Sequence, residues 1–202
     1  EIHAANGYLV DQFLQTCTNK RTDNYGGNFE NRSRFLAEIV EAVSEVYKPS
    51  EIGVRLSPNG NFGGMGSEDN DVFFSALAAK LNNYNLAYLH VIDGLGFGFH
   101  SKCRALTTSD FRKVYSRTIM SNCGLTKEVA EGMLRSGSTD LAAFGRLYMS
   151  NPDLAERFQN NWPVVPEAEY MVWYSPTGAK GYTDFPFYKP EKSDFEEKKT
   201  AE

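Results

Sequence analysis

The chain alternates between segments with helical spacing of apolar residues and short apolar runs. Between residues 32 and 47 apolar side chains recur at the spacing of one buried helix face, and Pro49 ends the segment. The same criteria predict helices at 71–81, at 109–115 capped by Ser109 or Thr108, at 127–136 behind Thr126, and at 151–158 with Asn151 as cap and Pro152 in the first turn. The apolar runs predict strands at 52–56, 86–92, 117–121 and 141–144, with a short stub at 1–3.

Strands separated by helices indicate parallel pairing with right-handed crossovers, and therefore an α/β fold. Four full strands fit an open sheet, or half of a (β/α)8 barrel, which has eight strands and typically about 250 residues. The pattern leaves both architectures open. We expect one domain over residues 1–188, followed by a charged and mobile tail at 189–202.

Composition narrows the class of protein. The 202 residues carry a net charge of −5, which does not favour a nucleic-acid partner. No apolar run reaches the roughly 18 residues of a membrane span. Cys17, Cys103 and Cys123 show no CxxC spacing, so the sequence predicts neither a disulfide framework nor a zinc site. We expect a cytoplasmic protein that binds no metal.

Arg55 lies inside the predicted strand Gly53-Val54-Arg55-Leu56, where a buried cation needs a strong acceptor. It is either half of a structural ion pair or a fixed positive charge facing a ligand that gains negative charge.

Two later strands run into glycine turns, Asn122-Cys123-Gly124 and Gly145-Arg146. Such turns are often ordinary. In barrels, however, the loops after the last two strands commonly bind phosphate through backbone N–H groups, and an arginine adds a bidentate donor.

His3 and Asn6 would share one face if they lay in a helical turn, with Tyr8 close by. These groups suit a substrate that becomes an anion and then takes a proton, but they also suit polar caps of a helix. Trp173 and Tyr174 are interpreted first as core aromatics. Three phenylalanines in glycine-rich loops fit a pocket wall slightly better than a core: Phe62, Phe97 and Phe99.

Several ordered stretches together resemble the Old Yellow Enzyme family. The longest are Glu-Ile-His-Ala-Ala-Asn-Gly-Tyr-Leu-Val-Asp-Gln-Phe at 1–13 and Asn-Lys-Arg-Thr-Asp-Asn-Tyr-Gly-Gly-Asn-Phe-Glu-Asn-Arg at 19–32. Shorter matches are Val-Arg-Leu-Ser-Pro at 54–58, Ala-Phe-Gly-Arg at 143–146, Ser-Asn-Pro-Asp-Leu at 150–154 and Gly-Tyr-Thr-Asp-Phe-Pro at 181–186.

The resemblance implies a (β/α)8 barrel with non-covalent FMN at the C-terminal ends of its strands. It starts at the end of the family's fourth strand and runs through the eighth helix, so we expect the C-terminal half of a barrel, with the N-terminal half absent from this chain. The implied reaction uses NADPH, by ping-pong hydride transfer, to reduce the activated C=C bond of α,β-unsaturated carbonyls, or nitro, quinone and oxylipin- or prostaglandin-type compounds.

The resemblance also implies roles for individual residues. His3 and Asn6 would bind the substrate oxygen, and Tyr8 would protonate the α-carbon. Phe62 and Tyr174 would line the substrate pocket. The implied FMN-binding residues are Arg55 at the ring, Asn122, Cys123, Gly124, Gly145 and Arg146 at the phosphate, and the aromatic pair Trp173 and Tyr174.

The alternative is a catalytically silent half-barrel that self-associates or weakly binds phosphate ligands. Partners expected on these grounds are a small enone-type substrate and either a second copy of the chain or the missing N-terminal half.

Overall fold

Five short strands pair in parallel, in the order in which they follow one another along the chain. The computed structural model describes residues 1–96, 98–174 and 178–189. The strands are β1 (Ile2–Ala4), β2 (Gly53–Leu56), β3 (Tyr88–Ile92), β4 (Ile119–Asn122) and β5 (Leu141–Ala143). The predicted parallel α/β fold is confirmed, and the predicted stub β1 is a full partner of β2.

The chain divides into two compact units, Glu1–Ala143 and Phe144–Glu202. The first unit contains the sheet and the helices α1 (Leu9–Leu14), α2 (Phe29–Ser44), α3 (Asn70–Leu81), α4 (Thr108–Arg112) and α5 (Lys127–Ser136). The second unit contains α6 (Arg146–Ser150), α7 (Leu154–Asn160) and α8 (Tyr170–Trp173). Single 3-10 turns lie at Pro49–Glu51, Phe62–Gly64 and Asn82–Tyr84.

The two faces of the sheet differ in chemistry. One register row of the first unit consists of apolar side chains that are fully buried in a core with α2 and α3, such as Val54, Leu89 and Ile119. The neighbouring row places polar residues side by side on the opposite face: His3 pairs with Arg55, and Arg55 with His90. Burying each large apolar side chain contributes about 1.5–3 kcal/mol, so the apolar row fixes which face carries the polar one.

Some helix starts were predicted wrongly because a side-chain cap lies before the periodic segment. Helix α2 begins at Phe29 instead of residue 32, since Asn28 Oδ1 accepts a hydrogen bond from Asn31 N (3.0 Å), and it ends at Ser44 instead of 47. Helix α4 begins one residue earlier than predicted and ends at Arg112. Its cap is Thr107, whose backbone N–H donates to Asp110 Oδ2 (3.1 Å).

The predicted cap of the last long helix was also wrong. Helix α7 starts at Leu154, because the side chain of Asn151 is already used elsewhere in the second unit. Asn151 Nδ2 donates to Leu147 O and Val165 O, and Asn151 Oδ1 accepts from Val165 N, at 2.8–2.9 Å. The prediction for α5 is confirmed: Thr126 Oγ1 accepts from Val129 N, and Gly137 ends the helix at a φ of 73°.

Two predictions concern residues beyond the described ranges. Phe97 and residues 190–202 of the predicted tail lie outside them. Within the described ranges, no helix is both long and apolar enough to cross a membrane.

Candidate active site

His3, Asn6 and Tyr8 lie at the C-terminal end of β1, where the strand turns into α1. The expectation that His3 and Asn6 share a helical turn was wrong. His3 is part of the strand, and Asn6 and Gly7 adopt left-handed φ angles of 57° and 74°. Tyr8 is the N-cap residue of α1, and its ring centroid lies 5.5 Å from that of His3. The turn thus brings the His3 and Tyr8 rings together.

Buried polar groups hold this turn in place. Asn6 N donates to Ser57 Oγ (2.7 Å), and Gly7 N donates to Asp11 Oδ2 (2.9 Å). Asp11 is fully buried on α1, and burial raises the pKa of its carboxyl to about 6. Sequence reasoning missed Asp11, although a charged residue next to Val10 and three positions before Leu14, both buried, was a usable signal.

Arg55 lies on β2 beside His3. Its Nη2 donates to Asn122 Oδ1 (2.7 Å), and Asn122 Nδ2 in turn donates to Ala143 O (2.8 Å). Arg55 Nε is buried and has no hydrogen-bond partner. Among the described residues Arg55 forms no salt bridge, so the structural ion pair considered for it is not observed.

The charge of Arg55 acts on its neighbour in the sheet. Partial burial, and after it the positive charge of Arg55, lower the pKa of His3. The lowered pKa favours the neutral imidazole of His3, which has one N–H donor.

The turn after β4 exposes backbone. Cys123 is buried with a φ of 87°, and Gly124 has a φ of 72° with open space where a Cβ would lie. Together with the unpartnered Arg55 Nε, this accessible turn fits a ligand that presents an anionic group and ring acceptors, as FMN does.

In the second unit, Gly145 precedes α6 and Arg146 is its first residue. Arg146 Nη1 lies 3.3 Å from Glu167 Oε2, and the guanidinium lies 5.0 Å from the centroid of the Trp173 ring. Trp173 Nε1 donates to Ala168 O (2.7 Å), which orients that ring. The structure therefore brings Arg146 and Trp173 together. Tyr174, the next residue, is 81% exposed.

The loop aromatics differ. Phe62 is exposed in a glycine-rich turn, and its ring centroid lies 6.4 Å from that of Tyr8. Phe62, Tyr8 and His3 thus form a row of three rings in the first unit. The ring centroid of Phe99 lies 5.1 Å from that of His100, with the two rings tilted by 43°, further along the loop after β3.

Comparison with known proteins decides the family. The model of the NADH:flavin oxidoreductase / NADH oxidase family matches residues 1–164. The chain belongs to this family. It is 36% identical over 188 residues to 12-oxophytodienoate reductase 2 of Arabidopsis thaliana. The matched region covers 92% of this chain and 50% of the reductase.

Solved structures agree with this assignment to the Old Yellow Enzyme group. The Old Yellow Enzyme homologue from Zymomonas mobilis is 37% identical, with a TM-score of 0.85 over 93% of this chain and 52% of that one. Morphinone reductase in complex with tetrahydroNAD is 35% identical, with a TM-score of 0.81 over 93% of this chain and 49% of that one. The chain spans about half the length of each of these relatives.

Proposed function

We propose that the whole protein is an FMN-dependent oxidoreductase that uses NADPH to reduce the activated C=C bond of α,β-unsaturated carbonyl compounds. Within it, residues 1–188 would form the C-terminal half of one (β/α)8 barrel domain, from the end of the fourth strand through the eighth helix. The observation that carries this proposal is the arrangement at the ends of β1 and β2. There the turn after β1 carries Asn6 and Tyr8 close to His3. Arg55, which pairs with His3 in the sheet, has a buried Nε–H without a hydrogen-bond partner.

The residues of the β1 turn supply polarisation and a proton. The neutral imidazole of His3 and the side-chain amide of Asn6 donate hydrogen bonds to the substrate oxygen, which gains negative charge during the reaction. Tyr8 Oη delivers a proton to the α-carbon. The left-handed turn orients Asn6 and Tyr8 before the substrate binds, so little further ordering is needed in the transition state.

FMN, when bound, supplies the hydride transfer between nicotinamide and the β-carbon of the substrate. We assign Arg55 to the electron-accepting edge of its ring, because the Arg55 charge is fixed by Asn122 while Nε stays unpaired. Asn122, Cys123, Gly124, Gly145 and Arg146 are proposed as residues that bind its phosphate end. Trp173 and Tyr174 are proposed as aromatic neighbours of the ring and the substrate mouth, and Phe62 as a wall of the substrate pocket.

The substrate class, the partners and the location are part of the same proposal. The named activity of the Arabidopsis relative supports an oxylipin-type enone, and the tetrahydroNAD in the morphinone reductase complex supports a nicotinamide donor. We propose ping-pong turnover, a cytoplasmic location and assembly either as a homodimer or with the N-terminal half of the barrel. Nothing in the comparisons supports the alternative of a silent half-barrel.

The test is Tyr8→Phe in the whole protein loaded with FMN. Stopped-flow absorbance should show flavin reoxidation by 2-cyclohexenone slowed about 10²-fold or more, because the proton donor is lost. Flavin reduction by NADPH should stay within about twofold. Tyr47→Phe is the matched control, since Tyr47 is as exposed as Tyr8 (58% and 56%) and lies outside the β1 turn. Equal slowing of both half-reactions would show that Tyr8 is not the proton donor.

A further inference from the structure

The β1 turn is conformationally demanding. Asn6 and Gly7 both adopt left-handed φ angles, a backbone conformation that glycine adopts freely, asparagine occasionally and most other residues rarely. A Cβ at Gly7 would lie 3.0 Å from Phe62 O and 3.1 Å from Met65 Cγ, so the turn also packs tightly against the loop after β2. Side chains must therefore hold Asn6 and Tyr8 in their places on either side of Gly7.

The backbone N–H groups of Asn6 and Gly7 both connect to the carboxylate of Asp11, one through Ser57 and one directly. Gly7 N donates to Asp11 Oδ2 directly (2.9 Å). Asn6 N donates to Ser57 Oγ (2.7 Å), and while burial raises the pKa of the Asp11 carboxyl, hydrogen bonding with the Ser57 side chain acts to lower it. Asp11 and Ser57 are at most 2% exposed, so water does not compete for these bonds.

The second carboxylate oxygen of Asp11, Oδ1, also has a fixed hydrogen-bond partner. Gln15 Nε2 donates to Asp11 Oδ1 (2.9 Å), while Gln15 Oε1 accepts from Gly66 N (2.8 Å) and Asn70 Nδ2 (3.3 Å). The Gln15 amide cannot flip without setting its NH2 group against the backbone N–H of Gly66. The groups that contact the Asp11 carboxylate, from Gly7, Ser57 and Gln15, are therefore all donors, and only an acceptor with no hydrogen of its own satisfies each of them.

We propose that Asp11 is a positioning residue: its buried carboxylate fixes the Asn6–Gly7 turn and thereby sets where Asn6 and Tyr8 meet the substrate. The inference rests on the proposed function for the roles of Asn6 and Tyr8. The connection through Gln15 to Gly66 further ties this turn to the loop that carries Phe62.

Asp11→Asn tests the proposal with almost no change in shape. The new NH2 group would face either the N–H of Gly7 or the NH2 of Gln15, so one donor would lose its acceptor. In the whole protein loaded with FMN, we expect the affinity for phenol, whose oxygen would occupy the place of the substrate oxygen, to fall at least tenfold. The rate of enone reduction at saturation should fall about 10–100-fold, because the groups are displaced and not removed. Amide exchange at Gly7 and Tyr8 should accelerate.

A double variant supplies the rescue. In Asp11→Asn combined with Gln15→Glu, the new amide NH2 at position 11 would donate to the new carboxylate at position 15, which would still accept from Gly66 N and Asn70 Nδ2. The new amide oxygen at position 11 would accept from Gly7 N and Ser57. Every donor then has an acceptor again, so phenol affinity and enone turnover should return to within about threefold of the wild type.

The controls separate positioning from stability and from the proposed function. Val40→Ala, a buried α2 variant, should destabilise the protein without changing phenol affinity. If Asp11→Asn does not fold, Ser57→Ala, which removes the Asn6 tether and leaves the Gly7 and Gln15 contacts of Asp11 in place, should show a smaller loss in the same direction. Unchanged phenol affinity and exchange in folded Asp11→Asn, or a folded double variant without rescue, would overturn the proposal.

A wild-type protein that neither binds phenol nor reduces enones would refute the proposed function instead. In that case the exchange rates at Gly7 and Tyr8 would still decide whether Asp11 holds the turn.

Discussion

Burial of single polar groups decides how this site behaves. Asp11 is surrounded by donors and lies in the core, so its charge is costly even though it is well bonded. Partial burial, and after it the charge of Arg55, lower the pKa of the neighbouring His3, and Arg55 keeps one N–H unpaired. Costs of this kind are common where a group is kept for its function and not for stability. They can be measured separately from catalysis.

The stability of the protein should depend on pH through Asp11. Burial raises its folded pKa from 3.8 to about 6, so the folded state binds this proton more tightly than the unfolded state. The contribution of Asp11 to the free energy of unfolding is fully present below about pH 4. It is lost as the pH rises through 6, which lowers the free energy of unfolding by on the order of 3 kcal/mol. Urea unfolding between pH 4.5 and 7.5 should show this dependence in the wild type and not in Asp11→Asn.

Asp140→Asn is the control: the pKa of Asp140 is shifted the opposite way, below the measured range, so this variant should keep the wild-type dependence between pH 4.5 and 7.5. Burial raises the pKa of Asp140, but hydrogen bonds from Ile119 N and Arg112 lower it by a larger amount, so the net shift is downward. Its contribution is present above its ordinary pKa and is lost as the pH falls through the lowered value. If Asp11→Asn leaves the wild-type dependence between pH 4.5 and 7.5 intact, the burial argument for Asp11 is wrong.

Among the elements, the turns after β3 and β4 depend on each other. Gly94 N donates to Asn122 O (3.3 Å), and a Cβ at Gly94 would lie only 1.9 Å from Cys123 O. That distance is impossible for real atoms, so any side chain at 94 must displace the Cys123–Gly124 turn. The sequence pointed to Gly124 and not to Gly94, because a close approach between two loops leaves no periodic signal.

Gly94→Ala should therefore weaken FMN binding by the whole protein at least tenfold, measured by fluorescence titration of the apoprotein. The displaced turn also carries Asn122, which holds Arg55. Gly132→Ala is the matched control: it lies inside α5 with open space at its Cβ. It should stabilise the protein by about 0.5–1 kcal/mol and leave FMN affinity unchanged. Equal FMN affinity in both variants would show that the Cys123–Gly124 turn does not contribute to FMN binding.

The predictability of each element follows from how local its determinants are. Helix α5 could be predicted to the residue, since its cap Thr126 and its ending glycine lie next to its periodic segment. The start of α7 could not, because Asn151 forms its bonds with Leu147 and Val165. The parallel order of the sheet followed from the alternation of strands and helices, whereas the fit of β1 as a fifth strand needed the register with Val54 and Leu56.

For the molecule as a whole, motif resemblance identified the family, and the fold comparisons agree over 93% of the chain. The site itself was only partly predictable. His3, Tyr8 and Arg55 carry recognisable chemistry in the sequence, but Asp11 acquires its role through Ser57, a residue 46 positions away. Because the chain spans about half of its relatives' length, the decisive test needs the whole protein.

That test is a crystal structure of the whole protein with FMN and phenol bound. The account predicts the phenol oxygen within hydrogen-bonding distance of the His3 ring and the Asn6 amide, the Tyr8 hydroxyl facing the ligand, and the Arg55 guanidinium against the edge of the flavin ring. A flavin bound away from Arg55, or a phenol oxygen that contacts neither His3 nor Asn6, would contradict it.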